Sequence, residues 1–391
     1  MKVYIVAAKR TPIGSFGGVF KNISAPVLAA EALKNAIDTY SIPKDAIDEV
    51  FLGNVLQANV GQAPARQALI FAGLSTFIPA TTINKVCASG LKAVQLAVQS
   101  IMAGDNHLVV AGGMENMSMV PHYLMGRDGQ KLGNIQVVDG LVKDGLTDVY
   151  NQKHMGCAAE LCAKEYKITR EEQDAYAIQS YKRSALAWEN ACFNSEIAPV
   201  IIPQKKGDSI KVDTDEEFTK VFLDKIPGLK PVFETDGTVT AANASTINDG
   251  AAIVIVASED AVKKYNLTVL AEVVSFADAA LEPEKFTVAP AKALPLALQK
   301  SNLKLDDIDL FEINEAFSVV SLANQKLLNI PNHKINIWGG AVSLGHPLGA
   351  SGARILVTLV HQLLNENKQY GAAAICNGGG GASAMVIKKP N

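Results

Sequence analysis

Short apolar runs alternate with stretches in which apolar residues recur at helical spacing. The pattern holds over the first 117 residues and returns from about residue 270. Runs at 3–7, 49–53, 81–86 and 107–111 predict strands, and the stretches 25–40 and 89–104 predict helices. A strand at 251–257 leads into the second region. There, runs at 269–277, 310–313, 335–339, 372–375 and 382–387 predict strands, and 290–301, 315–324 and 350–364 predict helices. Strands alternating with helices imply an α/β fold built on a largely parallel sheet covered on both faces.

Between about 117 and 248 the alternation is lost and polar residues crowd in. One clear helix is predicted at 170–190, begun by Thr169 with Glu172 three positions on, the spacing of a capping box. We therefore expect a first half made of 1–117 with 249–268, an inserted loop domain at 118–248, and a second half at 269–391. Both halves carry a strand, a turn of small residues, an apolar helix, a polar stretch and a strand running into glycines. The copies span 81–113 and 334–379 and suggest an internal duplication; coincidence between two βαβ units is the alternative.

The helix after residue 87 is apolar nearly all round (Leu91, Ala93, Val94, Leu96, Ala97, Val98, Ile101, Met102), which predicts a core helix. Its N-terminus points at Cys87. The composition, 48% hydrophobic and 19% charged, suits extensive burial, and 391 residues allow two or three domains. A formal net charge of −3 is no nucleic-acid signature. Five cysteines, without paired CxxC spacing, read as reduced thiols rather than disulfides or a zinc site. No apolar run reaches membrane-spanning length, and no membrane is expected as partner. The first residues read as a strand rather than a signal peptide. The expected compartment is cytoplasmic, or mitochondrial in a eukaryote whose presequence has been removed.

Three groups sit in backbone settings suited to chemistry. Cys87 precedes a helix, His346 lies in Gly345-His346-Pro347-Leu348-Gly349, and Cys376 ends an apolar run followed by Asn377 and Gly378 to Gly381. Glycines let backbone N–H groups approach a ligand. A thiolate is the nucleophilic form, favoured by a helix N-terminus or a nearby base, and His346 is the best-placed histidine for that base. His107, His122, His333 and His361 read as surface or core residues, and His154 as intermediate. A second tuned thiol, Cys376, could move a proton. Asn314, after the apolar run 310–313, reads either as a helix cap or as a group that orients water or a carbonyl oxygen.

Five segments together carry a resemblance: Asn84-Lys85-Val86-Cys87-Ala88-Ser89-Gly90, Gly112-Gly113-Met114-Glu115-Asn116-Met117-Ser118, Asn314-Glu315-Ala316-Phe317, Gly339-Gly340-Ala341-Val342-Ser343-Leu344-Gly345-His346-Pro347-Leu348-Gly349, and Cys376-Asn377-Gly378-Gly379-Gly380-Gly381. With these the chain resembles the thiolases, in particular the short-chain biosynthetic acetyl-CoA acetyltransferases, from residue 1 to about 389. The resemblance implies duplicated βαβ halves in a five-layer αβαβα sandwich with an inserted loop domain. It implies reversible condensation of two acetyl-CoA to acetoacetyl-CoA and CoA. Cys87 would carry the acyl group and His346 would activate it. Cys376 would take the α-proton of the second acetyl group and protonate the leaving CoA thiolate. Asn314, through a water, and His346 would form one oxyanion site, and the N–H groups of Cys87 and Gly378 the other.

The resemblance also assigns coenzyme A contacts to Tyr181, His154, Met155, Lys220, Val221, Lys225, Ser245, Phe286, Ala316 and Phe317. No covalently bound cofactor is expected. Tyr181, Ala241, Ala242, Ala244 and Val342 match the potassium-site positions of the potassium-activated mitochondrial-type members, mostly through backbone oxygens. Those members carry Phe-Pro beside the acyl pocket where this chain has Phe286-Thr287, so 2-methyl-branched substrates are an open question. A homotetramer, a dimer of dimers, is the expected assembly. The rival readings are a degradative 3-ketoacyl-CoA thiolase of broader chain length and a non-catalytic acyl-CoA or lipid-binding homologue. A dinucleotide-binding oxidoreductase is rejected, because Gly378 to Gly381 leads into a predicted strand and not a helix.

Overall fold

The computed structural model of the protein describes residues 2–390 except 128 and 130. The first half contains β1 (Val3–Arg10), β2 (Gly14–Ser15), α1 (Ala25–Tyr40), β3 (Glu49–Gly53), α2 (Pro64–Phe71), β4 (Ala80–Ile83), α3 (Ser89–Ala103) and β5 (Leu108–Asn116). The intervening segment holds β6 (His122–Tyr123), β7 (Val138–Asp139), α4 (Met155–Tyr166), α5 (Arg170–Glu189), β8 (Val200–Ile202) and β9 (Ile210–Val212). Then come β10 (Asn248–Ser258), α6 (Glu259–Tyr265), β11 (Ala271–Ala280), α7 (Pro290–Ser301), β12 (Leu310–Ile313), α8 (Ser318–Leu328), α9 (Ala341–Leu344), α10 (Leu348–Asn365), β13 (Tyr370–Asn377) and β14 (Gly381–Lys388).

One strand order serves twice. In the first half β4, β3 and β5 are parallel neighbours, and β10 and β1 continue antiparallel. In the second half β12 and β13 are parallel, and β14 and β11 continue antiparallel. The position of β4 is taken there by Ile335, which makes one parallel bridge to Phe311. The two halves join along β1 and β11 through only three residue pairs, Val3 to Ile5 against Val273 to Ala271. The repeated βαβ unit read from the sequence is therefore a repeat of topology.

Alternating side chains separate the layers, because successive strand residues point to opposite faces. On β10, Ile253 and Ile255 pack outward with Leu28, Leu33 and Leu69 of α1 and α2. Val254 and Val256 pack inward with α3 and α10. On β13, Ala373 and Ile375 face the same two helices, while Ala372 and Ala374 face α7. The result is helices, sheet, two central helices, sheet, helices. Both sheets are covered, so β5 and β10 are buried along their whole length.

The structure departs from the sequence reading in five places. The sheet expected to be largely parallel is mixed, with parallel pairs only at β3–β4, β3–β5 and β12–β13 among the described residues, and the short glycine turn between β13 and β14 can join only antiparallel strands. The run 335–339 forms no strand beyond the bridge at Ile335, since Gly339 turns back at φ 80°. The helix expected from 315 begins at Ser318, with Phe317 as its N-cap. The stretch 86–103 is long and apolar enough to cross a membrane, contrary to the expectation, yet more than half of it is buried in the protein. Finally, α3 is not buried all round: Gln99, Met102 and Ala103 are exposed, and the enclosed helix is α10, buried from Leu348 to Leu363.

The segment between the halves is tied down by buried charge. The Arg10 guanidinium donates to both carboxylate oxygens of Asp215, at 2.7 and 2.9 Å, and to Glu196. All three side chains are fully buried, so each charge relies on the others for its solvation. Helix α5 starts with the expected capping box between Thr169 and Glu172.

Candidate active site

The catalytic candidates meet where α3 and α10 begin. Bulk at this crossing is limited by close backbone approach. A Cβ on Gly113 would stand 1.9 Å from the carbonyl oxygen of Gly349, and one on Gly90 would stand 2.9 Å from that oxygen. Only glycine permits this contact, which brings the turns carrying Cys87 and His346 together. Four donors converge on the buried Glu115 carboxylate at the same place: the N–H groups of Val55, Leu56 and Gly349, and the Asn54 amide.

Cys87 sits on a strained turn. Val86 has φ 48°, a left-handed conformation that a β-branched residue rarely adopts. The turn is held by the Ser89 hydroxyl, which donates to the Val86 carbonyl at 2.6 Å and accepts the Lys85 N–H at 2.8 Å. Asn84 Oδ1 accepts the Val86 N–H at 3.0 Å. Lys85 and Lys92 both donate to Asp278 on β11, at 2.6 and 2.7 Å, fastening this turn to the second half. Burial opposes the Asp278 charge, but these two lysines and Ser383 hold its carboxyl down at about 2.

Burial pushes the Cys87 thiol up to about 11, while the backbone N–H groups of Gly378 and of Cys87 itself pull against that rise. Burial, reinforced by the Arg354 charge, pushes the His346 imidazole down to about 3, so it is neutral at pH 7. Its Nδ1 lies 2.6 Å from Ser351 Oγ, and its Nε2 has no partner among the described residues. The His346 N–H donates to Asn248 Oδ1 at 2.9 Å. Cys376, near the end of β13, is driven well above the ordinary thiol range, first by burial and then by Cys87 beside it.

Asn314 is no helix cap. It is 1% exposed, and neither its Oδ1 nor its Nδ2 has a partner among the described residues. An unpaired buried amide costs about 1–3 kcal/mol, which marks it as a group kept for a ligand or water.

A cavity of about 530 Å³ opens above these groups. Cys87, His346 and Gly378 border it, with His154, Met155, Lys220, Ala241, Ala244, Ser245, Phe286, Ala316 and Phe317 from the sequence-derived set. Asn314 and Cys376 are buried and do not border it. Tyr181, Val221, Lys225, Ala242 and Val342 do not border it. Tyr181, Ala242 and Val342 share a neighbouring apolar cluster, with Val221 packed against it. Lys225 stands 4.4 Å from the centre of the Phe222 ring. Lys220 Nζ donates to Ser15 Oγ at 2.6 Å and to Glu216 at 3.3 Å. The Ser245 hydroxyl donates to the Ala316 carbonyl at 2.8 Å.

His154 caps α4, accepting the Gly156 N–H at 3.1 Å, and stacks on Phe233 with centroids 4.7 Å apart. Phe233, Glu217, Val86, Ile247 and Leu348 also border the cavity and were not singled out from the sequence. Val86 was legible in principle as the neighbour of a candidate nucleophile. Phe233 carried no signal, because only tertiary packing brings its loop to α4. A neutral imidazole, two thiols and an unpaired amide can support acyl transfer to sulfur followed by proton abstraction.

Comparison with known proteins identifies the family. Residues 3–260 match the N-terminal domain of thiolase, and residues 267–389 match its C-terminal domain. The mitochondrial acetyl-CoA acetyltransferase of Danio rerio is 55% identical over 389 residues, covering 99% of this chain and 92% of the relative. The Homo sapiens mitochondrial acetyl-CoA acetyltransferase is 53% identical over 389 residues, covering 99% and 90%. The crystal structure of Acat5 thiolase from Ascaris suum in complex with coenzyme A superposes with a TM-score of 0.94 at 46% identity, covering 100% of both chains. Human mitochondrial 3-ketoacyl-CoA thiolase superposes with a TM-score of 0.96 at 40% identity, covering 100% of this chain and 99% of that one.

Proposed function

The chain belongs to the thiolase family, and from that premise we infer that it is an acetyl-CoA C-acetyltransferase. It condenses two acetyl-CoA to acetoacetyl-CoA and CoA, and runs the reverse thiolysis. The observation that carries this is that Cys87, His346 and Gly378, from three separate turns, border one cavity. Identities of 53–55% to acetyl-CoA acetyltransferases over nearly the whole chain support the short-chain activity. So does the apolar group Met155, Phe233, Phe286, Phe317 and Cys376, which leaves bulky side chains around the second thiol.

In this reading Cys87 Sγ gives its proton to His346 Nε2 and bonds to the acetyl carbon. The N–H groups of Cys87 and Gly378 hold the oxyanion. The CoA thiolate leaves with the proton of Cys376. The Cys376 thiolate then takes the α-proton of the second acetyl-CoA. Asn314, through a water, and the protonated His346 hold the enolate oxygen. The enolate carbon attacks acetyl-Cys87, acetoacetyl-CoA departs, and Nε2 returns its proton to Cys87. The resting thiol and neutral imidazole suit this sequence, because charge develops only once acyl substrate excludes water.

The segment 118–248, as an inserted domain, would supply the coenzyme A contacts through His154, Met155, Lys220 and Ser245, with Tyr181, Val221 and Lys225 further out. Phe286, Ala316 and Phe317 would line the acyl end. Potassium would be held by carbonyl oxygens of Ala241, Ala242, Ala244 and Val342 beside Tyr181. The fit rests on the packing of Tyr181 against Ala242 and Val342, with the Glu217 and Glu315 carboxylates near the phenol. The ion would supply fixed positive charge and order this segment. A homotetramer is supported by apolar side chains left outside, Met125 at 90% and Phe77 at 95% exposed. Light scattering tests the assembly. Imaging in the source cell tests a cytoplasmic against a mitochondrial location.

The test of function is steady-state thiolysis of acetoacetyl-CoA, its 2-methyl analogue and a longer 3-ketoacyl-CoA. The acetoacetyl substrate should give the highest kcat/KM. Preference for the long chain would instead make this a degradative 3-ketoacyl-CoA thiolase.

A further inference from the structure

We propose that Ser351 sets the tautomer of His346, holding the proton on Nδ1 and presenting the Nε2 lone pair to the cavity. Ser351 lies in the first turn of α10, 1% exposed, four residues after Pro347. Its hydroxyl donates to the Pro347 carbonyl at 2.8 Å, the back-bond that serine makes to the i−4 position of a helix. A hydroxyl carries one proton. Toward His346 Nδ1, 2.6 Å away, Ser351 Oγ can then only accept, so Nδ1 must be the protonated ring nitrogen. A neutral imidazole has one N–H, which leaves a lone pair on Nε2. Nε2 is the ring atom without a partner among the described residues.

The choice of a hydroxyl has a chemical consequence. A carboxylate at this place would stabilise the imidazolium and raise the basicity of the ring. A hydroxyl orients the ring without adding charge, and the cationic Arg354 opposes ring protonation. The imidazolium therefore forms only as Cys87 Sγ bonds to the acyl carbon and releases its proton to Nε2. Ser351 is a positioning residue, acting through His346 and not on the substrate.

This rests on the reading of Cys87 as the acylated nucleophile, and the experiment separates the two. The full-length protein is labelled with nitrogen-15 histidine, and the His346 signals are assigned by their loss in His346→Asn. At neutral pH, Nδ1 should give the protonated, pyrrole-type signal and Nε2 the unprotonated, pyridine-type signal. Rapid-quench acetylation of Cys87 should slow at least about tenfold in Ser351→Ala, short of the ~100-fold minimum for losing a general base outright. Ser351→Thr keeps the hydroxyl and should recover most of the rate. A pyrrole-type Nε2 in the unsubstituted protein, or wild-type acetylation in Ser351→Ala, would overturn the proposal. If Ser351→Ala does not fold, the tautomer of the unsubstituted protein decides. Failure of Cys87 to acetylate at all would sink the nucleophile reading, and the nitrogen-15 signature would still decide the role of Ser351.

Discussion

Glu115 Oε2 accepts the backbone N–H of Gly349 at 2.8 Å, three residues beyond His346. Through this bond a strand of the first half fixes the start of the helix that follows the histidine. The same carboxylate takes the N–H groups of Val55 and Leu56, so one side chain sets the relative position of three backbone segments.

Glu115→Ala should strand these three buried donors. At about 1–3 kcal/mol for each unsatisfied group, the loss should reach several kcal/mol. Glu115→Gln keeps one acceptor oxygen and should fall between. Urea denaturation orders the three proteins. An alanine variant as stable as the parent would remove Glu115 from this role.

Cys87→Ala should abolish both acetylation and condensation. Cys376→Ser should still accept one acetyl group on Cys87, yet condense about 100- to 10,000-fold more slowly. Peptide mass spectrometry after acetyl-CoA treatment locates the label. A label found only on Cys376 contradicts the assignment.

At position 86 glycine should be more stabilising than alanine, the reverse of the usual order. Both substitutions lose the valine side chain, but only glycine relieves a backbone at φ 48°. Relief of such strain is worth about 1–3 kcal/mol. Urea midpoints of Val86→Gly and Val86→Ala make the comparison.

His346 should make the protein acid-sensitive. Its folded pKa, about 3, lies below the ordinary histidine value of 6.5. Between these values the unfolded chain binds a proton that the folded chain refuses, so stability falls as pH drops below about 6.5. From pH 7 to pH 5 the loss from this group is about 2 kcal/mol. His361 is depressed in the same direction, so the measurement is the difference between the parent and His346→Asn across that range. Parallel curves would contradict the buried neutral imidazole.

Potassium should raise the thiolysis rate, and sodium at equal ionic strength should do so poorly. Tyr181→Phe should weaken the response if the phenol orders the site. A flat potassium curve removes the ion from the mechanism and leaves the catalytic residues untouched.

The turn motifs around Cys87, His346 and Cys376 were legible in the sequence because glycine and small residues mark backbone approach wherever they fall. The layer order came from the family resemblance and not from spacing, since β10 is buried on both faces and its apolar run does not record which side meets α1 and which meets α3. Asn314 was readable only as one of two things. A single position cannot say whether a helix starts at 315 or at Ser318, and that start separates a cap from an unpaired buried amide.

The chain alone thus determined the fold class and the chemical identity of the candidate groups, because local spacing and residue type are properties of short segments. Tertiary structure decided which groups meet. Phe233 reaches His154, Glu115 reaches Gly349, and Ile335 keeps one bridge of an expected strand. These contacts join residues as far as 234 positions apart. They arise from packing two sheets around α3 and α10, and no local preference of the chain encodes that distance.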